Sequence, residues 1–223
     1  MNVQSPDPKI LMEDGWKARE NYEFKQSEKL LTVAKSLFEK QKDWQNVTEC
    51  LNHLAYLRQM QAFDLLVQGR KFAAESLTVA RKESVDQALP NRANQTILRW
   101  LGEFEQADEF AKVLVNSINT NSAARAEARG SLALILMRTG KINEAKNEIE
   151  LAFRELDEGW EKERMPHKMI WKTKLLIIAS LIDYNLGNKK DAKIRAAKAL
   201  ALSKEHNLKM RLAEAEELLK LFS

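Results

Sequence analysis

The segment from Asn119 to Leu156 limits the possible folds more than any other stretch, because it has the pattern of a helix, a glycine and a second helix. Its first half carries apolar residues at helical spacing, namely Leu132, Ala133, Ile135 and Leu136. Gly140 follows, and glycine adopts the left-handed conformation that ends a helix at little steric cost. Its second half carries small and apolar residues at offsets of 0, 4 and 7, namely Ala145, Ile149 and Ala152. The segment predicts a helical hairpin, with Asn143 as the cap of the second helix.

The same pattern recurs at four glycines along the chain. Gly69, Gly102, Gly140 and Gly187 are separated by 33, 38 and 47 residues. Each is followed five residues later by an alanine: Ala74, Ala107, Ala145 and Ala192. Repeats of this length are typical of helical solenoids, in which a hairpin buries its apolar face against its neighbours. We therefore predict a helix end at each of the four glycines.

The remaining sequence also divides into helices, about eleven in all, with no alternation typical of strands. Residues 1–8 are predicted to be a disordered tail and residues 9–205 a single helical repeat domain. Residues 206–223 are predicted to form a C-terminal helix that caps the open end of the repeats, because its apolar stripe needs a partner. If that stripe stays exposed, we expect the chain to self-associate through it.

The turns resemble those of the tetratricopeptide repeat, which places a glycine, an apolar or aromatic residue and an alanine at fixed spacing. The matching segments are Leu101-Gly-Glu-Phe-Glu-Gln-Ala, Thr139-Gly-Lys-Ile-Asn-Glu-Ala and Leu186-Gly-Asn-Lys-Lys-Asp-Ala. Small residues expected midway along the first helix of a repeat are found at Ala62, Ala133 and Ser180. The chain departs from the pattern in its longer periods, in Lys189 at the aromatic position and in Gln95 at a small position. The resemblance covers residues 24–205.

The resemblance implies an all-α fold, a right-handed α-solenoid of about five antiparallel helix hairpins with a C-terminal capping helix. It also implies a concave groove lined by the first helix of each hairpin. The groove positions of the repeat fall on Tyr56, Phe63, Leu66, Arg92, Arg99, Trp100, Leu134, Met137, Arg138, Ile177, Leu181 and Tyr184. Aromatic residues, Met and Arg are enriched in protein-binding hot spots. These residues predict a partner peptide or helix with apolar anchors and acidic flanks, unless several of them simply pack between hairpins.

The sequence offers little catalytic chemistry. His53, His167 and His206 are far apart, and none has a second histidine or cysteine at the spacing of a metal site. Cys50 lies among apolar residues, which is typical of a buried, unreactive thiol. The sequence lacks the glycine-rich phosphate loop and the nucleophile elbow. We predict no catalytic residue, no metal and no cofactor, and hence that the protein is not an enzyme.

The charge of the chain is uneven and favours a second class of function. The formal net charge is +4, but residues 161–223 carry 14 Lys and Arg against 8 Asp and Glu. Basic helices in this part, which include Lys189, Lys190 and Lys193, suit nucleic acid or another polyanion. A third interpretation is a regulatory subunit of a separate enzyme or transcription factor, or a part of a larger chain.

The cellular setting is predicted from three further features of the sequence. The chain has 1 cysteine in 223 residues, which excludes an internal disulfide and favours a reducing compartment. Its first residues do not have the pattern of a signal peptide. The longest apolar run, from Leu175 to Ile182, is much shorter than the roughly 20 residues that span a bilayer. We expect a cytoplasmic protein with no membrane partner.

Overall fold

The computed structural model describes residues 6–119 and 121–222, and every regular element in these ranges is helical. The all-α prediction is confirmed. A short 3₁₀ turn at Trp160–Lys162 follows the seventh helix. The α-helices are α1 Pro8–Glu20, α2 Phe24–Gln41, α3 Trp44–Lys82, α4 Ala88–Leu101, α5 Phe104–Ser117, α6 Ser122–Arg138, α7 Ile142–Gly159, α8 His167–Asn185, α9 Lys189–Glu205 and α10 Lys209–Leu221.

The chain divides into two compact units with a boundary between Gly69 and Arg70. Unit 1 contains α1, α2 and the first part of α3. Unit 2 contains the end of α3 and all helices from α4 to α10. Within the described part of the chain, no helix combines the length and the apolar content needed to cross a bilayer.

The helix end predicted at Gly69 is wrong, because α3 continues through this residue from Trp44 to Lys82. A glycine inside a helix costs about 1 kcal/mol relative to alanine, which neighbouring helix-forming residues can offset. The residues after Gly69 also disfavour a new helix, since Arg70 and Lys71 would put positive charge at its positive N-terminal end. The first turns after the other glycines instead contain the acidic residues Glu105, Glu144 and Asp191.

The other three predicted helix ends are confirmed. Gly102, Gly140 and Gly187 have φ angles of 82°, 80° and 82°, in the left-handed region. At Gly140 the amide donates to the carbonyl of Met137 (3.2 Å), and the next amide, of Lys141, donates to that of Leu136 (2.9 Å). This is the Schellman arrangement that satisfies the last carbonyls of a helix. Helix α7 begins directly afterwards at Ile142 without a side-chain cap, so the predicted Asn143 cap is wrong.

The small residues on the second helix of each hairpin are buried, as their spacing predicts. The stripes with essentially no solvent exposure are Ser27, Leu31 and Ala34 in α2, Ala107, Ala111 and Leu114 in α5, and Ala192, Ala196 and Ala199 in α9. In α7 the stripe is Ala145, Ile149 and Ala152. Small side chains allow the two helices of a hairpin to approach closely, which fixes their pairing.

Unit 2 has a regular pattern of helix contacts. Consecutive helices from α4 to α10 pack against each other, and alternate helices also meet in the pairs α4–α6, α6–α8 and α8–α10. One apolar core runs through α4 to α8 and buries Leu114, Ile135, Leu156 and Leu175. The even-numbered helices of unit 2 therefore lie next to one another and can form a common surface.

Unit 1 contains the packing of α1 on α2 and a small apolar cluster, which consists of Ala34, Phe38, Val47 and Cys50. Ser27 Oγ in α2 donates to the carbonyl oxygen of Gly15 in α1 at 2.7 Å. A Cβ at Gly15 would lie 2.8 Å from Leu31 Cγ, so glycine permits the close approach. Cys50 is fully buried, and burial raises the pKa of its thiol to about 11, which keeps it protonated.

The two ends of the chain fit the predicted helices in part. Residues 1–5 of the predicted tail and Ser223 lie outside the described residues, as does Thr120. Pro8 belongs to α1, and the side chain of Asp7 caps this helix by accepting from the amide of Lys9 at 2.9 Å. Helix α10 packs on α8 and α9. The capping role of residues 206–223 and the single domain over 9–205 stay predictions.

Two alanine substitutions distinguish a helix interior from a helix end. We expect Gly69→Ala to raise the free energy of unfolding by about 1 kcal/mol, because the residue lies inside α3. Gly140→Ala should lower the free energy of unfolding by about 1–2 kcal/mol, because φ is 80° there and alanine is strained in this conformation. A Cβ at this position meets nothing within 4 Å, so the loss comes from the backbone conformation alone. Guanidinium unfolding followed by circular dichroism measures both. A loss of stability in Gly69→Ala comparable to that in Gly140→Ala would contradict the continuous helix.

Candidate binding groove

The even-numbered helices of unit 2 line a groove of about 650 Å³. Side chains of α4, α6, α8 and α10 contribute to its walls. The groove brings together seven of the residues predicted from the sequence, namely Arg92, Arg99, Trp100, Leu134, Arg138, Ile177 and Leu181. A volume of this size is within the range of ligand-binding clefts.

Part of the groove lining is apolar. Leu134, Leu181 and Leu218 are half-buried there, and Ile177 is buried. Trp100, at the end of α4, is 61% exposed. An exposed tryptophan next to aliphatic side chains is typical of the anchor site of a protein interface.

A charged cluster lies inside the same groove, centred on the carboxylate of Glu127. Glu127 is buried and accepts a hydrogen bond from Lys174 Nζ, while Arg92 Nε lies 3.1 Å from its other oxygen. Lys174 Nζ also donates to Ser131 Oγ at 2.7 Å. Burial opposes ionisation, but the charges of Lys174 and Arg92 outweigh it and hold the pKa of Glu127 below its ordinary value. The cluster links α6 to α8 through charged hydrogen bonds and α4 to α6 through an ion pair.

Further arginines surround this cluster. The guanidinium carbon of Arg99 lies 5.1 Å from the centroid of the Trp100 ring, within range of a cation–π interaction. Arg211 Nη1 of α10 donates to Glu214 at 2.6 Å. Burial lowers the pKa of Arg99, and the positive charges of Arg138 and Arg211 lower it further, against the attraction of Glu214. Positive charge is therefore concentrated beside the apolar wall.

The other predicted groove residues lie elsewhere. Tyr56 and Phe63 line a separate groove of about 490 Å³ within unit 1. Leu66 is half-buried in α3. Met137 packs against the apolar core of unit 2. Tyr184 stacks on Phe222 with ring centroids 4.7 Å apart. Met137 and Tyr184 therefore pack between helices, as the sequence left open, and so do three residues of the unit 2 groove, namely Leu134, Ile177 and Leu181.

The groove of unit 1 is aromatic and contains a buried arginine. Tyr22, Tyr56 and Phe63 are each more than half exposed, and the Arg19 guanidinium lies over the Tyr56 ring at 5.7 Å. Arg19 Nη1 lies 3.2 Å from His53 Nδ1. A guanidinium can only donate, so this imidazole nitrogen accepts and the ring is neutral. Burial lowers the pKa of His53, and the charge of Arg19 lowers it further.

The basic surface predicted near the C-terminus lies mainly on α9. Lys190, Lys193 and Lys198 are exposed, whereas Arg195 donates to Asp183 at 2.6 Å. Arg195 therefore belongs to the contact between α8 and α9. The sequence of α9 contains no aromatic residue on which a base could stack.

Sequence reasoning missed Glu127, Lys174 and the groove residues of α10. Glu127 interrupts a stripe of small residues in α6, and Lys174 precedes the apolar run of α8. A charged residue at a position where the pattern expects an apolar one is a signal for a buried ion pair, so this pair was detectable in principle. Met210, Arg211 and Glu214 were assigned to a terminal cap, and only tertiary packing places them in the groove.

Comparison with known proteins does not identify the groove. No protein-family model matches the chain, and no curated protein matches it significantly. Its function is therefore inferred from the groove's own side chains.

The neutral state of His53 predicts that stability depends on pH. In the unfolded chain this histidine binds a proton near pH 6.5, whereas in the folded chain it does so only at lower pH. The unfolded state therefore binds more protons below about pH 6.5, and the free energy of unfolding should fall as the pH is lowered from about 7 to 5. Chemical unfolding at several pH values measures this slope.

His53→Gln is the matched variant, because glutamine can accept from Arg19 but does not titrate. We expect a shallower loss of stability in this variant than in the unmodified chain over the same pH range. Equal slopes in the two proteins would contradict a neutral His53 in the folded state.

Proposed function

We propose that this chain is a non-enzymatic scaffold that binds a peptide or helix of a partner protein in the groove of unit 2. One observation carries the proposal: four helices place an exposed tryptophan, an apolar wall and several arginines in one cleft of about 650 Å³. Trp and Arg are the residues most enriched in binding hot spots. A helix with apolar anchors and acidic side chains complements such a cleft.

We also propose that the helices form a right-handed, tetratricopeptide-like solenoid with this groove on its concave face. Support comes from the three turns at Gly102, Gly140 and Gly187 and from the buried small residues that follow them. Further support comes from the contacts between alternate helices of unit 2, which a stack of hairpins requires. The single cysteine is compatible with the cytoplasmic setting that we propose for it.

Binding of nucleic acid or another polyanion is the second candidate. The exposed lysines of α9 favour it, because several positive charges on one helix attract phosphates. Regulation of a separate enzyme or transcription factor is compatible with groove binding, since the partner would then be that protein. Dependence on salt distinguishes polyanion binding from peptide binding in the groove. Binding of a polyanion through lysines weakens steeply as salt is added, whereas binding of a peptide through apolar anchors weakens much less.

A peptide selection tests the proposed groove. Short random peptides displayed on phage are selected on the intact chain, and the enriched peptides are titrated against the protein and its variants. We expect Trp100→Ala to weaken binding at least about tenfold, because the anchor contact is lost. Trp44→Ala is the matched control, since Trp44 is 63% exposed in unit 1 and should leave binding unchanged.

Two results would contradict groove binding. One is that no peptide is enriched on the folded chain. The other is that enriched peptides bind Trp100→Ala as tightly as the unmodified protein. Strong binding of single-stranded nucleic acid that Trp100→Ala leaves intact and added salt abolishes would favour the basic surface of α9 instead.

A further inference from the structure

The groove of unit 2 carries more positive than negative charge. Five basic side chains and three carboxylates line it, which leaves an excess of two positive charges. A cleft in which water is partly excluded strengthens this field, because charges are screened less there than at an open surface. The excess therefore favours an anionic ligand.

The ion pairs show which charges are left over. Glu127 is paired with Lys174 and Arg92, and Glu214 is paired with Arg211. No described carboxylate oxygen lies within 4.0 Å of a guanidinium nitrogen of Arg99 or Arg138, and Glu214 attracts Arg99 only from a longer distance. Arg99 Nε is buried, and it has no hydrogen-bond partner within residues 6–119 and 121–222. The third lining carboxylate, Glu217, pairs with Lys220 outside the groove. Arg99 of α4 and Arg138 of α6 are thus the groove cations without an ion-pair partner among the described residues.

Guanidinium groups match the geometry of a phosphoryl group. Each presents a planar fork of N–H donors that can bind two oxygens at once. A carboxylate carries one negative charge and would compensate only one of the two arginines. A phosphorylated side chain carries a charge of about −1.5 to −2 at neutral pH, with three acceptor oxygens, and would compensate both.

We propose that the groove binds a phosphorylated segment of a partner protein, with phosphoryl oxygens accepting hydrogen bonds from Arg99 and Arg138. This inference rests on the proposed function, since it names the class of peptide that the groove takes. The apolar wall and the exposed Trp100 ring favour a peptide over free phosphate, because they would hold the side chains that flank the phosphorylated residue. Phosphorylation of the partner then controls whether it binds.

Degenerate peptide libraries with one fixed central residue test the inference. The fixed residue is phosphothreonine, threonine or glutamate, and binding to the intact chain is measured by fluorescence anisotropy. We expect the phosphothreonine library to bind at least about tenfold more tightly than the threonine library, because it adds charged hydrogen bonds to both arginines. The glutamate library should fall between them.

Variants identify the residues that contact the phosphoryl group. Arg99→Gln combined with Arg138→Gln should abolish the preference for the phosphothreonine library over the threonine library. Arg138→Gln alone should have a smaller effect, and its exposed position makes it a variant that folds. Lys190→Gln removes one positive charge outside the groove and is the control for general attraction of anions.

The possible outcomes separate this inference from the proposed function. Equal binding of the phosphothreonine and threonine libraries, sensitive to Trp100→Ala, would overturn the phosphoryl site and keep the groove. Competition by inorganic phosphate at the concentration of the phosphopeptide would show that free phosphate is the ligand and overturn the peptide part. Lack of binding by every library would overturn both proposals.

Discussion

A buried ion pair between two helices determines the character of unit 2. The carboxylate of Glu127 in α6 is held by Lys174 of α8 and by Arg92 of α4, inside a groove that is otherwise apolar along one wall. Removal of charges from water is costly unless they are paired, so neither Glu127 nor Lys174 is replaceable alone without loss of stability. Because each of these charges needs its partners, the cluster constrains how α4, α6 and α8 pack along the groove.

One repeated local arrangement positions the helices of unit 2. A glycine in the left-handed conformation ends one helix, and a stripe of small residues brings the next helix back against it. Alternate helices then lie side by side, and their exposed faces form one surface. Helix α10 joins this surface through Arg211 and Glu214, so the C-terminal helix is part of the groove wall as well as of the apolar packing around α8 and α9.

Local patterns in the sequence predicted most of the helices, and the exceptions have physical causes. The ends at Gly102, Gly140 and Gly187 were predictable because glycine adopts the left-handed backbone conformation without the strain that a side chain causes there. The continuation of α3 through Gly69 was not predictable in this way. A helix can contain one glycine when the residues that follow do not favour the start of a new helix. Left-handed turns at Tyr22 and Lys42 carry no glycine, so the glycine pattern could not indicate them.

The groove was predicted less completely than the helices. Seven of the positions taken from the repeat resemblance line it, because the exposed face of a helix follows from its period. Tyr184 and Met137 are on similar faces but pack against Phe222 and the core, which depends on the neighbour that each meets. The place of Glu127 in the charged cluster depends on Lys174 and Arg92, which only the tertiary structure brings next to it.

The ionisation of Glu127 is the property on which the ion pair in the groove has its most direct effect. Carbon-13 NMR of the side-chain carboxyl, followed as the pH is lowered, measures its pKa in the folded protein. We expect a pKa below the ordinary value of 4.5, and a higher pKa in Lys174→Met, because the cations around Glu127 favour its charged form. A pKa above 4.5 in the unmodified chain would mean that burial outweighs the cations, and it would contradict a groove organised by this ion pair.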